Sequence, residues 1–141
     1  MRFAHNAIRV KDINKVLNFY VTGFGFEEAF RITNEDGSLR IVYLHISEGQ
    51  YLELCLGGGD RPQFDDKVSL GFRHLALTVN DITKTKKDLE SRGVVFDSEI
   101  MKMKDQNLAV YLFDPEGNKI ELVQTAPESP HFAFEKSKSL I

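Results

Sequence analysis

Cysteine is almost absent: Cys55 is the one thiol in 141 residues. That excludes an internal disulfide and points to a reducing compartment. Concentrated charge of one sign is also missing. The formal net charge is −3, with lysines and arginines scattered along the chain. No basic stripe is offered to nucleic acid, and no polybasic helix to a membrane surface. No apolar run approaches the roughly 20 residues of a spanning helix. The opening residues, Met1 to His5, already read as the start of a strand and leave no room for a leader pattern. The expectation is a cytoplasmic protein with neither nucleic acid nor membrane as partner. Its length suits one domain around one core, and its composition is ordinary for a globular protein.

What the chain does contain is a repeat. Phe3 to Ile13 (FAHNAIRVKDI) returns as Phe72 to Ile82 (FRHLALTVNDI). The offset is 69 residues for His5 to His74, Ala7 to Ala76, Val10 to Val79 and Asp12 to Asp81. Later, Tyr51 to Cys55 (YLELC) answers to Lys119 to Val123 (KIELV), with Glu53 to Glu121 offset by 68. Such self-similarity marks two copies of one supersecondary unit. Each copy opens on a strand bearing a histidine and closes on a strand bearing a glutamate. The expected organisation is a first module over 1–56, a linker over 57–70, a second module over 71–125 and a tail over 126–141.

Within the first module, residues 3–10 alternate as a strand. Asp12 is placed to cap a helix carrying Ile13, Val16, Leu17 and Tyr20, which Gly23 is expected to end in a left-handed conformation. Strands are expected over 26–33, 39–46 and 50–56, with a hairpin turn at 34–37. The linker opens with Gly57, Gly58 and Gly59. No Lys-Ser/Thr pair follows them, so they read as a flexible joint rather than a phosphate cradle. The second module repeats the plan: a strand over 72–79, a helix from the Asp81 cap to Arg92 closed by Gly93, and strands over 94–103, 108–113 and 119–125. The tail is polar apart from Phe132, Phe134 and its last two residues. It is expected to lie loose or to dock through its aromatics.

Strand alternation then groups the chemistry. Leu52, Leu54 and Leu56 point away from Tyr51, Glu53 and Cys55. Ile120 and Leu122 point away from Glu121, and Leu75 and Leu77 from His74 and Ala76. In each case the aliphatic face suits a covering helix, and the His or Glu lies on the other face. His5, Glu53, His74 and Glu121 therefore share the faces turned away from the helices. A carboxylate in a pocket needs a partner or a cation. Two imidazoles and two carboxylates suit one first-row divalent ion, leaving about two octahedral positions open. His45 and His131 have no repeat partner and read as structural or solvent-facing. Cys55, on the Glu53 face, reads as a small half-buried thiol rather than a nucleophile.

These segments resemble the vicinal oxygen chelate superfamily: residues 5–12, 52–54, 74–81, and the Asp-Pro-Glu-Gly-Asn-Lys-Ile-Glu-Leu run at 114–122. Within it they are most similar to bacterial glyoxalase I, over about residues 3–125. The resemblance implies an α+β fold, with two tandem βαβββ modules forming curved open sheets around a metal cleft (the glyoxalase/bleomycin resistance/dioxygenase fold). It implies one divalent metal, nickel or cobalt rather than zinc or manganese, held by His5, Glu53, His74 and Glu121. It also implies isomerisation of a thiol–2-oxoaldehyde hemithioacetal to a 2-hydroxyacyl thioester through an enediolate on the metal. Glu121 would be the base and Glu53 its counterpart, in a homodimer. Arg9 matches a first-strand arginine that grips the remote end of the substrate, about 13 Å from His5 by strand rise. The alternatives within the superfamily are a CoA-thioester epimerase, a thiol transferase or a small-molecule-binding resistance protein. The chain departs from glyoxalase I where Leu54 to Gly58 replaces a Thr-Tyr-Asn motif, and where Lys104 to Asn107 replaces a Lys-Gly-Gly loop. Both are glutathione-contacting segments.

Overall fold

The computed structural model describes residues 1–62, 65 and 67–139. Gln63, Phe64 and Asp66 of the expected linker, and Leu140 and Ile141 of the tail, lie outside the described residues. The chain divides into two compact units, Met1–Ser69 and Leu70–Ile141.

The first unit runs β1 (His5–Val10), α1 (Ile13–Leu17), a π-helical turn (Asn18–Gly23), β2 (Glu27–Thr33), β3 (Leu39–Ser47) and β4 (Gln50–Leu56). Its four-stranded sheet has the order β1-β4-β3-β2. β1 and β4 are parallel, and the other pairs antiparallel. Asp12 caps α1 as expected: its backbone is extended, and its carboxylate accepts from the Lys15 amide at 3.2 Å. The helix does not end in a left-handed Gly23. It widens into the π-helical turn, with the Phe24 amide donating to the Phe19 carbonyl at 3.0 Å. The positive φ falls at Gly25 instead, at 78°. Tyr20, Phe24 and Phe26 pack in this turn with ring centroids 5.6–5.9 Å apart. That packing supplies a reason for the widened turn, since π-helical geometry is rare without tertiary support.

Alternation puts Val10, Val42, Leu44, Leu52 and Leu54 out of reach of solvent, together with Val16 and Tyr20. Each such aliphatic burial stabilises the unit by about 1.5–3 kcal/mol. The turn between β2 and β3 closes as anticipated, with Gly37 at φ 81° and its amide donating to the Asn34 carbonyl at 3.0 Å. Beyond β4, the Gly58 amide donates to the Val10 carbonyl at 2.9 Å. A Cβ on Gly58 would stand 2.9 Å from the carbonyl carbon of Val10. This glycine is therefore required for a close backbone approach.

The second unit runs β5 (Leu75–Thr78), α2 (Ile82–Ser91), β6 (Met101–Lys102), β7 (Leu108–Phe113), β8 (Lys119–Gln124) and α3 (Pro130–Ser139). The sheet order β5-β8-β7-β6 repeats that of the first unit, again with one parallel pair, β5 and β8. Asp81 caps α2 through the Lys84 amide at 2.9 Å. Gly93 follows the helix with φ 86°. Ile82, Leu89, Val94, Ala109, Val110, Leu112, Ile120 and Leu122 form the core of this unit.

Three expectations are corrected here. β5 begins at Leu75, so His74 sits just before the strand and Phe72 is exposed. Residues 94–103 form only a single bridge, Phe96 to Leu112, and the two-residue β6. In that stretch the Ser98 hydroxyl, rather than a backbone carbonyl, accepts from the Tyr111 amide at 3.0 Å. The tail is not loose: it forms α3, with Phe132 and Phe134 exposed. Buried Ser129 caps that helix by accepting from the Phe132 amide at 3.1 Å, with Pro130 at the first helical position. No helix among the described residues is long and apolar enough to cross a membrane.

Candidate functional site

In the first unit, parallel pairing sets Ala7 beside Glu53 and Ile8 beside Leu54. Leu54 goes to the core, so Glu53 faces the open side of the sheet. His5, two residues before Ala7, shares that side and reaches Glu53 diagonally. Its Nε2 lies 3.1 Å from Glu53 Oε2. Tyr43 stands directly across from Glu53 on β3 and presents its ring edge to His5, with centroids 6.0 Å apart. The Cys55 thiol donates to Glu53 Oε1 at 3.3 Å.

The second unit builds the same group. Ala76 and Tyr111 flank Glu121 across β5 and β7. His74 Nε2 lies 2.9 Å from Glu121 Oε2. The Tyr111 hydroxyl donates to Glu121 Oε1 at 2.8 Å, and its ring meets that of His74 edge-on at 6.1 Å. The structure therefore joins His5 to Glu53 and His74 to Glu121. It adds two residues that the alternation argument missed, Tyr43 and Tyr111. Their signal was present in the sequence: Tyr43 and Tyr111 are 68 residues apart, the same offset as Glu53 and Glu121.

The electrostatics of the two groups agree. Side-chain exposure is 13% for Glu53 and 12% for Glu121, against 44% for His5 and 27% for His74. The carboxylates are thus tucked in and the imidazoles form the rim. Burial raises the Tyr43 hydroxyl above its usual pKa, and the neighbouring Glu53 carboxylate adds to that. Tyr111 is pushed up to about 12, first by burial and then by the Glu121 carboxylate. Burial, then the bond to Glu53, also raises the Cys55 thiol. Cys55 is therefore held as the neutral thiol, which agrees with its reading as a half-buried residue rather than a nucleophile.

The donor set can be tested against a cation. An octahedral ion with bonds near 2.1 Å keeps neighbouring ligand atoms about 3 Å apart. The Nε2–Oε2 separations of 3.1 and 2.9 Å fit one edge of such a polyhedron in each unit. Neutral imidazole and ionised carboxylate are also the ligand types that first-row divalent metals take. Among the described residues no group of three or more His, Cys, Asp or Glu stands ready to hold an ion. The structure supplies two donors per unit.

Arg9 lies on the open side of β1, where its guanidinium donates to the Leu56 carbonyl at 3.0 Å. That bond uses one of five donors and leaves the fork available to an anion. His45 packs its ring against Tyr51 at 5.6 Å. His131 Nδ1 lies 3.1 Å from the Asn107 amide nitrogen. Both remain outside the two His-Glu-Tyr groups, as expected.

Two units of the same βαβββ order, each with one parallel strand pair, define a class of proteins, and the comparisons place the chain in it. Residues 2–122 match the model of the Glyoxalase/Bleomycin resistance protein/Dioxygenase superfamily, and the chain belongs to that superfamily. A probable lactoylglutathione lyase from Synechocystis is 32% identical, the match covering 89% of this chain and 97% of the relative. Glyoxalase I of Saccharomyces cerevisiae is 26% identical over 91% of this chain. The chain spans about half of that yeast protein, the matched share being 46%. Among solved structures, a glyoxalase family protein from Enterococcus faecalis superposes with a TM-score of 0.73 at 26% identity, covering 86% of this chain and 96% of that one.

Proposed function

We propose that the protein is a metal-dependent lyase of the glyoxalase I kind. Its reaction would convert the hemithioacetal of a 2-oxoaldehyde and a thiol into a 2-hydroxyacyl thioester. The observation that carries this reading is the duplicated His-Glu pair, with donor atoms 3.1 and 2.9 Å apart on the open faces of two like sheets. Relatives named lactoylglutathione lyase support it.

In this reading His5, Glu53, His74 and Glu121 hold one divalent cation, nickel or cobalt before zinc or manganese. Bound there, the cation would supply Lewis-acid stabilisation of charge developing on the substrate oxygens. The chain's own part is proton transfer. The Glu121 carboxylate takes the proton from the carbon bearing sulfur and returns it to the neighbouring carbon. Glu53 stands as its counterpart. The imidazoles at the rim orient the carboxylates. Arg9, with donors to spare, grips an anionic group at the far end of the thiol. The protein would act as a homodimer in the cytoplasm. The two replaced glutathione-contacting segments favour a thiol other than glutathione, or a different grip on it.

The test is metal analysis of the protein as isolated, followed by methylglyoxal with a panel of physiological thiols. Thioester formation that disappears with chelator and returns with nickel or cobalt is the expected result. Failure of every thiol in the metal-loaded protein would sink the reading.

A further inference from the structure

We propose that Tyr111 is a positioning residue, fixing Glu121 so that Oε2 is the carboxylate oxygen turned to the imidazole and to any cation the pair binds. The proposal stands on contacts within the second unit, and its consequence for turnover rests on the lyase reading above.

In the second unit one phenol touches both members of the pair. The Tyr111 hydroxyl donates to Glu121 Oε1 at 2.8 Å, while its ring packs edge-on against His74, tilted by 70°. Tyr43 stands opposite Glu53 in the same register and meets His5 edge-on at 79°. In the first unit Oε1 accepts from the Cys55 thiol. Oε1 is thus engaged in both units, and Oε2 is the oxygen nearest the imidazole in both.

A carboxylate held this way would offer Oε2 to a cation, since Oε1 already accepts from the phenol. The phenol would also keep the carboxylate from swinging away while it acts as a base. Partners of this kind around metal ligands change affinity or activity by roughly 10- to 100-fold when removed.

The experiment uses Tyr111→Phe, which removes the hydroxyl and keeps the ring. Metal-free full-length protein is titrated with Co(II), and the visible spectrum of the loaded protein is recorded. Steady-state kinetics with methylglyoxal and the best thiol follow. The expected result is a fall in Co(II) affinity of roughly 10- to 100-fold, an altered spectrum, and a loss in kcat with KM nearly unchanged, at an unchanged melting temperature. Wild-type affinity and spectrum in the variant would overturn the proposal. If the wild type binds no Co(II), the lyase reading falls, and the histidine ring resonances of the metal-free protein decide the positioning role. A shift of His74 but not His5 in Tyr111→Phe supports it, and no shift overturns it.

Discussion

His74 Nε2 lies 2.9 Å from Glu121 Oε2, and the His5–Glu53 contact reproduces that arrangement in the other half of the chain. If Glu121 moves the proton, its amide isostere loses turnover without losing the site. Glu121→Gln is expected to lower kcat by about 10²–10⁴-fold, the usual range for a general acid–base group. Metal content should fall less than in His74→Ala, which removes an imidazole of the proposed ligand set. Elemental analysis beside thioester formation checks both.

Arg9 gives a separable outcome. Its guanidinium is tied to the Leu56 carbonyl, which aims the remaining donors from the rim of the sheet. Arg9→Ala should raise KM for an anionic thiol by roughly tenfold with kcat little changed, the signature of lost uniform binding. An uncharged ester of the same thiol should be indifferent to the substitution. Equal effects on both substrates would remove Arg9 from the binding role.

The tyrosines set the alkaline behaviour. Tyr111 ionises near 12 in the folded chain, from burial and then Glu121, against about 10 when unfolded. The folded chain therefore keeps a proton that the unfolded chain releases. The stability this contributes is complete below pH about 10 and is lost as the pH climbs towards 12. Tyr43 shifts in the same direction. Ultraviolet titration of metal-free protein should show these phenols ionising late. Tyr111→Phe should remove one late step.

The anchor of α3 is the next test. Asn107 is buried, and its Oδ1 accepts from the Ala126 amide at 3.0 Å. Its Nδ2 donates to Asp105 Oδ2 at 3.0 Å and faces His131 Nδ1 at 3.1 Å. Asn107→Ala leaves the Ala126 amide without its partner, at a cost of about 1–3 kcal/mol. Hydrogen exchange should quicken across 126–139 before it does in β7 and β8. Uniform quickening would mean the anchor serves the whole unit.

Much of this was readable from residue order, for identifiable reasons. β4 and β8 carry strict alternation, so the faces of Glu53 and Glu121 followed from Leu52, Leu54, Ile120 and Leu122. The Asp12 and Asp81 caps were plain because capping is local chemistry. The π-helical turn was not readable, since it depends on how Tyr20 packs with Phe24 and Phe26. Residues 94–103 misled through Val94 and Val95. The first goes to the core and the second to solvent, leaving no regular strand between α2 and β6. Ser129 followed by Pro130 is a capping signal for α3, set within a polar stretch that does not mark a buried helix face.

The parallel register of β1 against β4 has a bearing on how such a chain can change over time. Successive side chains in a strand alternate sides, so one residue gained or lost between Tyr51 and Glu53 would hand the carboxylate to the layer occupied by Leu52 and Leu54. The histidine offset of 69 and the glutamate offset of 68 show that the halves have already drifted apart by one position. That drift has to be absorbed outside the paired strands, where a length change reverses no face. Insertions and deletions should therefore collect in the connections of related chains, while the strands that carry the acid stay fixed in length.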